Sequence, residues 1–244
     1  MKTGIQFFSL FKLIGDGQFE KALAIAADSG VDGIELYEHY SVPAIEYRKA
    51  FNNAGIVCYG THNGLDRLRA GLDQVMEYNY ILGNPAIICH FLTEAQRGTK
   101  DNYLKAAEEF NEMAAIFKRN GFDFLYHNHD FEFSEVFDGE CGMDIILNNT
   151  DEHLVGIELH IGQLQKFGID EAEYVKKLGR RVKILHVHAF LNGNPEDVYD
   201  SGPAIKAARE LDAGWAVLEN VYPPPVDEKL LKSNVASIRA LAQG

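Results

Sequence analysis

Short apolar runs of strand length alternate eight times with longer segments of helical periodicity. The strand-like runs are Gly4–Ser9, Gly33–Tyr37, Ile56–Thr61, Pro85–His90, Phe122–His129, Val155–His160, Val182–Val187 and Trp215–Asn220. The helical patterns that follow them are Phe19–Ser29, Ala44–Asn53, Leu65–Leu82, Asp101–Arg119, Asp144–Asn149, Glu171–Leu178, Pro203–Leu211 and Glu228–Ala242. In Asp101–Arg119, for example, Leu104, Ala107, Phe110, Ala114 and Phe117 recur every three or four residues, and Gly121 follows as a helix stop. Eight strand–helix units in order predict a parallel sheet closed on itself and ringed by helices. We therefore expect a (β/α)8 TIM barrel formed by residues 1–244 as one domain, since such barrels take about 250 residues. An open doubly wound sheet is the alternative, but no G-x-G-x-x-G follows the first strand.

In such a barrel the strand C-termini converge on one face, where the chemistry is housed. Eight of the nine histidines (His39, His62, His90, His127, His129, His160, His186 and His188) fall at or just after the end of a strand-like run, and only His153 does not. Imidazole is the commonest protein metal ligand and titrates near neutral pH. Period-two alternation puts His127 and His129 on one face of the fifth strand and Phe122, Phe124 and Tyr126 on the other, against helices. Glu158 and His160 share a face of the sixth strand, the seventh carries His186 and His188, and the eighth ends in Glu219. From four consecutive strands, His127, His160, His186 and Glu219 are candidate metal ligands. An imidazole-rich set suits Mn²⁺, Zn²⁺, Fe²⁺ or Co²⁺ better than Mg²⁺; a metal-free polar pocket is the alternative. His62 and His90 are candidates for substrate hydroxyls, and Glu35 for the barrel floor or the substrate. Phe7, Phe8 and Phe91 could form an apolar wall, and Trp215, at the start of its strand, is expected to pack.

Charge narrows the partners. Lys and Arg number 23 against 36 Asp and Glu, a net charge of −13. Such a chain is repelled by phosphate backbones, and its longest basic run is Arg180-Arg181 with nearby Lys176 and Lys177, so nucleic acid is not expected. The apolar stretch Ile5–Ile14 is interrupted by Gln6 and Lys12 and reads as a strand, not a signal peptide. No run approaches the ~20 apolar residues of a membrane span. Three cysteines at unrelated spacings (Cys58, Cys89, Cys141) fit reduced thiols in a cytoplasmic protein. For oligomeric state only the general expectation of a symmetric homo-oligomer applies.

The stretches Gly4-Ile5-Gln6, Gly60-Thr61-His62, Leu82-Gly83-Asn84, Tyr126-His127-Asn128-His129-Asp130-Phe131-Glu132-Phe133, Asn149-Thr150-Asp151, Leu185-His186 and Glu219 resemble the xylose isomerase-like barrels, in particular the sugar phosphate isomerases/epimerases. The likeness covers most of the chain, and the YHNHDFEF stretch is its most specific part. It implies a (β/α)8 fold and a divalent metal held by two Glu, one Asp and one His. His186 matches that histidine and Glu219 the last glutamate. His160 stands at the aspartate position, His127 near the first glutamate, and Val187-His188-Ala189 where the family has a lysine–aspartate pair. These departures leave open a different metal, a different reaction, or a site without metal.

The expectation is then chemistry at a carbon beside a carbonyl, on a small carbohydrate. A metal would stabilise the enediolate formed when Glu219 removes a proton that His127 or His129 returns. Glu132, His62 and His188 would grip hydroxyls. Return of the proton gives isomerisation or epimerisation, whereas loss of a β-substituent gives dehydration or deglycosylation by a lyase. A phosphodiesterase and a non-catalytic sugar-binding barrel are the further alternatives.

Overall fold

The computed structural model describes residues 1–37, 41–188 and 201–244. Eight parallel strands form: β1 Lys2–Gln6, β2 Gly33–Leu36, β3 Val57–Gly64, β4 Ala86–Phe91, β5 Asp123–His127, β6 Val155–His160, β7 Val182–Val187 and β8 Trp215–Leu218. Each pairs with its neighbours in chain order, and β8 returns to β1 with Gly4 opposite Val217, closing the (β/α)8 barrel. Among the described residues no helix is long and apolar enough to cross a membrane. His39 and Ala189 lie outside the described residues.

Outward-facing strand residues and the helices form the larger core. On β5, Phe124 and Tyr126 pack against Phe110 of the helix Lys100–Arg119, with ring centroids 5.5 and 5.1 Å apart. That helix starts where the Thr99 side chain accepts a hydrogen bond from the Asn102 N–H. Each aromatic side chain fully buried here contributes roughly 1.5–3 kcal/mol.

Several boundaries differ from the periodicity. Leu65–Leu82 is two helices, Leu65–Ala70 and Leu72–Leu82, because Gly71 between them is extended and cannot carry the helical ladder. β1 stops at Gln6, whose side-chain oxygen accepts from the Phe8 N–H and starts the 3-10 turn Phe7–Leu10. β5 stops at His127, where the Asn128 side chain takes over by bonding the backbone N–H and C=O of His160.

The barrel interior has two levels. Its floor is apolar: Tyr59, Ala86, Ile88, Leu125, Ile184 and Val217, joined by Trp215. Tyr59 stacks on Trp215 with centroids 3.9 Å apart. Two glycines leave room for this pair, since a Cβ on Gly4 would lie 2.5 Å from the Tyr59 hydroxyl and one on Gly33 2.8 Å from Trp215. Trp215 is thus a packing residue, as expected. Above the floor the inward residues become Gln6, Glu35, His62, His127, Glu158 and His186, all buried. His62 reaches this level through a bulge. Ile34 pairs with Cys58 but Glu35 with Gly60, so Tyr59 is an extra residue that resets the strand's phase. Unbroken alternation from Tyr59 would have aimed Thr61 inward; instead its hydroxyl bonds Asn79 on the outer helix Leu72–Leu82.

Candidate active site

A cavity of about 660 Å³ opens over this polar level. His62, Asn63, Arg67, His90, His127, His129 and Glu219 supply its polar lining, and Phe8, Tyr37 and Phe91 form an apolar wall. The position and size are those of a small-ligand cleft.

Three carboxylates organise the interior. Glu158 Oε1 lies 2.7 Å from His62 Nε2, 2.7 Å from His127 Nδ1 and 3.3 Å from His186 Nε2. Glu35 Oε1 lies 2.5 Å from His62 Nε2 and accepts from the Gln6 side chain, while its Oε2 is 3.4 Å from His186 Nε2. Glu219 Oε2 lies 2.8 Å from His186 Nδ1 and 3.7 Å from His160 Nδ1. Among the described residues no Lys or Arg pairs with these three carboxylates; their ion-pair partners are all imidazoles. Buried anions must be matched by positive charge. Burial alone would lower His62, but Glu35 and Glu158 more than offset it and hold the imidazole up at about 10. His186 is raised for the same reason, by Glu158 and Glu35. Burial works against ionised Glu158 and Glu219 too, yet the histidines keep both well below the ordinary carboxylate range. The outer histidines behave oppositely: burial, reinforced by neighbouring imidazoles, lowers His90 to about 2 and His129 to about 3.

The donors fit a divalent ion. Ligand atoms of His62, His127, Glu158 and His186 lie within 4.8 Å of one another, as do those of His127, His160 and Glu219. Glu158 Oε2, His160 Nδ1 and His129 Nδ1 are buried without a hydrogen-bond partner. Mixed imidazole and carboxylate ligands suit Zn²⁺, Fe²⁺, Mn²⁺ or Co²⁺.

The rim set expected from the sequence is thus divided. His127, His160 and Glu219 cluster, whereas His186 turns one nitrogen to Glu219 and the other to Glu158 and Glu35. His129 does not share the inward face of β5. It lies beyond the strand end, stacked on Phe131 and edge-on to Phe91, and still lines the cavity. His188 stacks on His160 at 4.6 Å, their Nε2 atoms 2.5 Å apart. Glu132 requires a correction: it is fully buried, one oxygen accepting from the Tyr126 hydroxyl and the other from the His129 N–H, so it holds the loop that carries His129 and does not reach the cavity. Glu35 and Gln6 take a more central place than sequence reasoning gave them. Their signal was a lone polar residue facing inward on an otherwise buried strand. His153 is exposed and remote, as its phase indicated.

The family model for the xylose isomerase-like TIM barrel matches residues 23–241. The chain belongs to this family. A sugar phosphate isomerase/epimerase from Parabacteroides distasonis superposes with a TM-score of 0.79 at 20% identity, over 99% of this chain and 94% of that one. A D-psicose 3-epimerase crystallised in the presence of D-fructose superposes with a TM-score of 0.75 at 13% identity, over the whole of both chains. At such identities the likeness is one of fold. In sequence, an inosose dehydratase of Clostridium perfringens is 29% identical over 99 residues, 41% of this chain and 32% of that protein, so the match takes in about a third of the relative's length. The fold neighbours thus include sugar isomerases and epimerases, and a dehydratase is a sequence relative.

Proposed function

We propose that this family member is a divalent-metal-dependent isomerase or epimerase of a keto-sugar or related carbohydrate. The observation that carries the proposal is the set of three carboxylates, Glu35, Glu158 and Glu219, whose ion-pair partners among the described residues are all imidazoles, at and beneath a cavity at the strand C-termini. His127, His160, His186 and Glu219 would hold the ion, with Mn²⁺, Zn²⁺, Fe²⁺ or Co²⁺ as candidates. A bound ion supplies positive charge beside a substrate carbonyl, which makes the neighbouring carbon acid easier to deprotonate.

The chain's own groups supply the rest. Glu219 faces the cavity and is kept ionised by His186 and His160, which makes it the base. His129, kept neutral by burial, bearing an unpaired ring nitrogen and lining the same cavity, handles the proton. His188 is the hydroxyl contact; His62 lines the cavity but turns its Nε2 to Glu35 and Glu158. Phe8 and Phe91 wall off water and offer a face to the sugar's C–H surface. The match to inosose dehydratase supports a second reading, in which the same proton removal ends in loss of a β-hydroxyl. Either route is proposed for a cytoplasmic enzyme acting on a small carbohydrate.

The test is NMR of a keto-sugar and inosose panel in D₂O with metal-loaded protein. Deuterium entering beside the carbonyl, with an epimer or aldose appearing, is the expected result; an unsaturated ketone in its place selects dehydration. No exchange with any member of the panel overturns the proposal.

A further inference from the structure

The polar interior has more ligand atoms than one ion at the mouth would use, and they lie at two depths. Glu158 sits two residues before His160 on β6, one inward position deeper in the barrel. We propose that His62, His127, Glu158 and His186 form a second, inner divalent-cation site, which shares His127 and His186 with the mouth set and lies below its His160 and Glu219. This inference rests on the metal-dependent reading of the mouth and extends it.

Four observations converge. The four side chains come from β3, β5, β6 and β7, are all buried, and bring one ligand atom each to within 4.8 Å of the others. Two carboxylate oxygens, Glu35 Oε1 at 2.5 Å and Glu158 Oε1 at 2.7 Å, close on the single nitrogen His62 Nε2. One N–H bond points in one direction and cannot serve both well, whereas a cation attracts both. Glu158 Oε2 is buried with no hydrogen-bond partner, leaving a lone pair for a ligand bond. The His186 ring presents Nδ1 to Glu219 at the upper level and Nε2 to Glu158 and Glu35 at the lower, so both depths are addressed by one side chain. Three imidazoles with one carboxylate favour Zn²⁺, Co²⁺ or Fe²⁺ over Mg²⁺ or Ca²⁺. An ion there would neutralise the inner carboxylates and fix the orientation of His127 and His186.

The experiment is metal counting on the intact chain, stripped with chelator, reloaded by dialysis against Zn²⁺ and read by elemental mass spectrometry. The wild type should hold about two equivalents and His62→Ala and Glu158→Gln about one each, with His160→Ala and Glu219→Gln also near one. Co²⁺ loading of the same proteins gives a second readout, since loss of each site removes its own visible bands. Circular dichroism checks folding; His62→Gln replaces His62→Ala, and His160→Gln replaces His160→Ala, if either fails to fold. One equivalent in the wild type, lost only from the His160 and Glu219 variants, overturns the inner site and leaves the mouth site standing. One equivalent lost from all four variants means a shared ion and also overturns it. One lost only from the His62 and Glu158 variants places the ion inside and removes the mouth site instead. No metal in the wild type overturns both.

Discussion

The floor and the mouth of this barrel are built from the same strands and obey opposite rules. β5 places Leu125 in the floor and His127 above it; β7 places Ile184 and then His186; β8 places Val217 in the floor, and Glu219 follows just past its end. Two residues, about 6.6 Å of strand, separate apolar packing from buried charge. The floor gains its stability from contact area, so its residues are interchangeable within limits of volume. The mouth encloses anions that only matched charge makes tolerable, so its residues are not interchangeable. The comparison shows how one closed sheet holds a costly polar centre: an apolar floor below and a helix-packed outer core around it.

The two regions should respond differently to substitution. The largest effect is expected at the mouth, where Glu219→Gln should lower turnover about 10²–10⁴-fold, as loss of a general base does; steady-state rates on whichever substrate shows exchange check this. Near-normal turnover in that variant would remove Glu219 from the chemistry. Leu125→Ala in the floor should cost about 2–5 kcal/mol of stability while the folded protein keeps its metal content, checked by urea unfolding and elemental analysis. Loss of metal in that variant would mean that the two levels are not independent.

A smaller, pH-dependent effect is expected at Glu132, between the two regimes. Burial raises its carboxyl to about 7 from an ordinary 4.5, although the Tyr126 hydroxyl and the His129 N–H pull the other way. A raised folded-state value means that the native state binds the proton more tightly than the unfolded chain does. Its stabilising contribution is complete below about 4.5 and is lost as pH rises through about 7. Glu132→Gln should therefore gain roughly 2–3 kcal/mol on the wild type at pH 8 relative to pH 4.5, read as the difference between urea midpoints at the two pH values. The smallest effect is expected in the floor. The Tyr59 hydroxyl is buried without a hydrogen-bond partner, so Tyr59→Phe should be neutral or stabilising by up to about 1 kcal/mol in thermal melts.

Much of the fold was legible because it is written in local periods. The spacing of Phe110 and Phe117 marked a helix face, and the alternation Phe124, Leu125, Tyr126, His127 marked which side of β5 meets that helix. The site was legible in its residue types and its height on the barrel, but not in its pairings. Alternation continued past His127 puts His129 on the inward face of β5, but the strand ends at His127 and His129 reaches the cavity from the segment beyond it. Glu132 reads as a substrate contact from the sequence because its burial depends on Tyr126, six residues away, and on the turn between them. His62 points inward only because β3 bulges at Tyr59, and nothing in the local sequence announces that bulge.

The sequence by itself determined that eight strand–helix units close into a barrel and that histidines and glutamates crowd one end of it, because hydrophobic periodicity acts over a few residues. Only the tertiary structure decided which imidazole meets which carboxylate. His62 and Glu158 are 96 residues apart, and His186 and Glu35 are 151 apart. Their approach is fixed by barrel closure, strand register and one bulge, and each of these depends on the whole ring of strands.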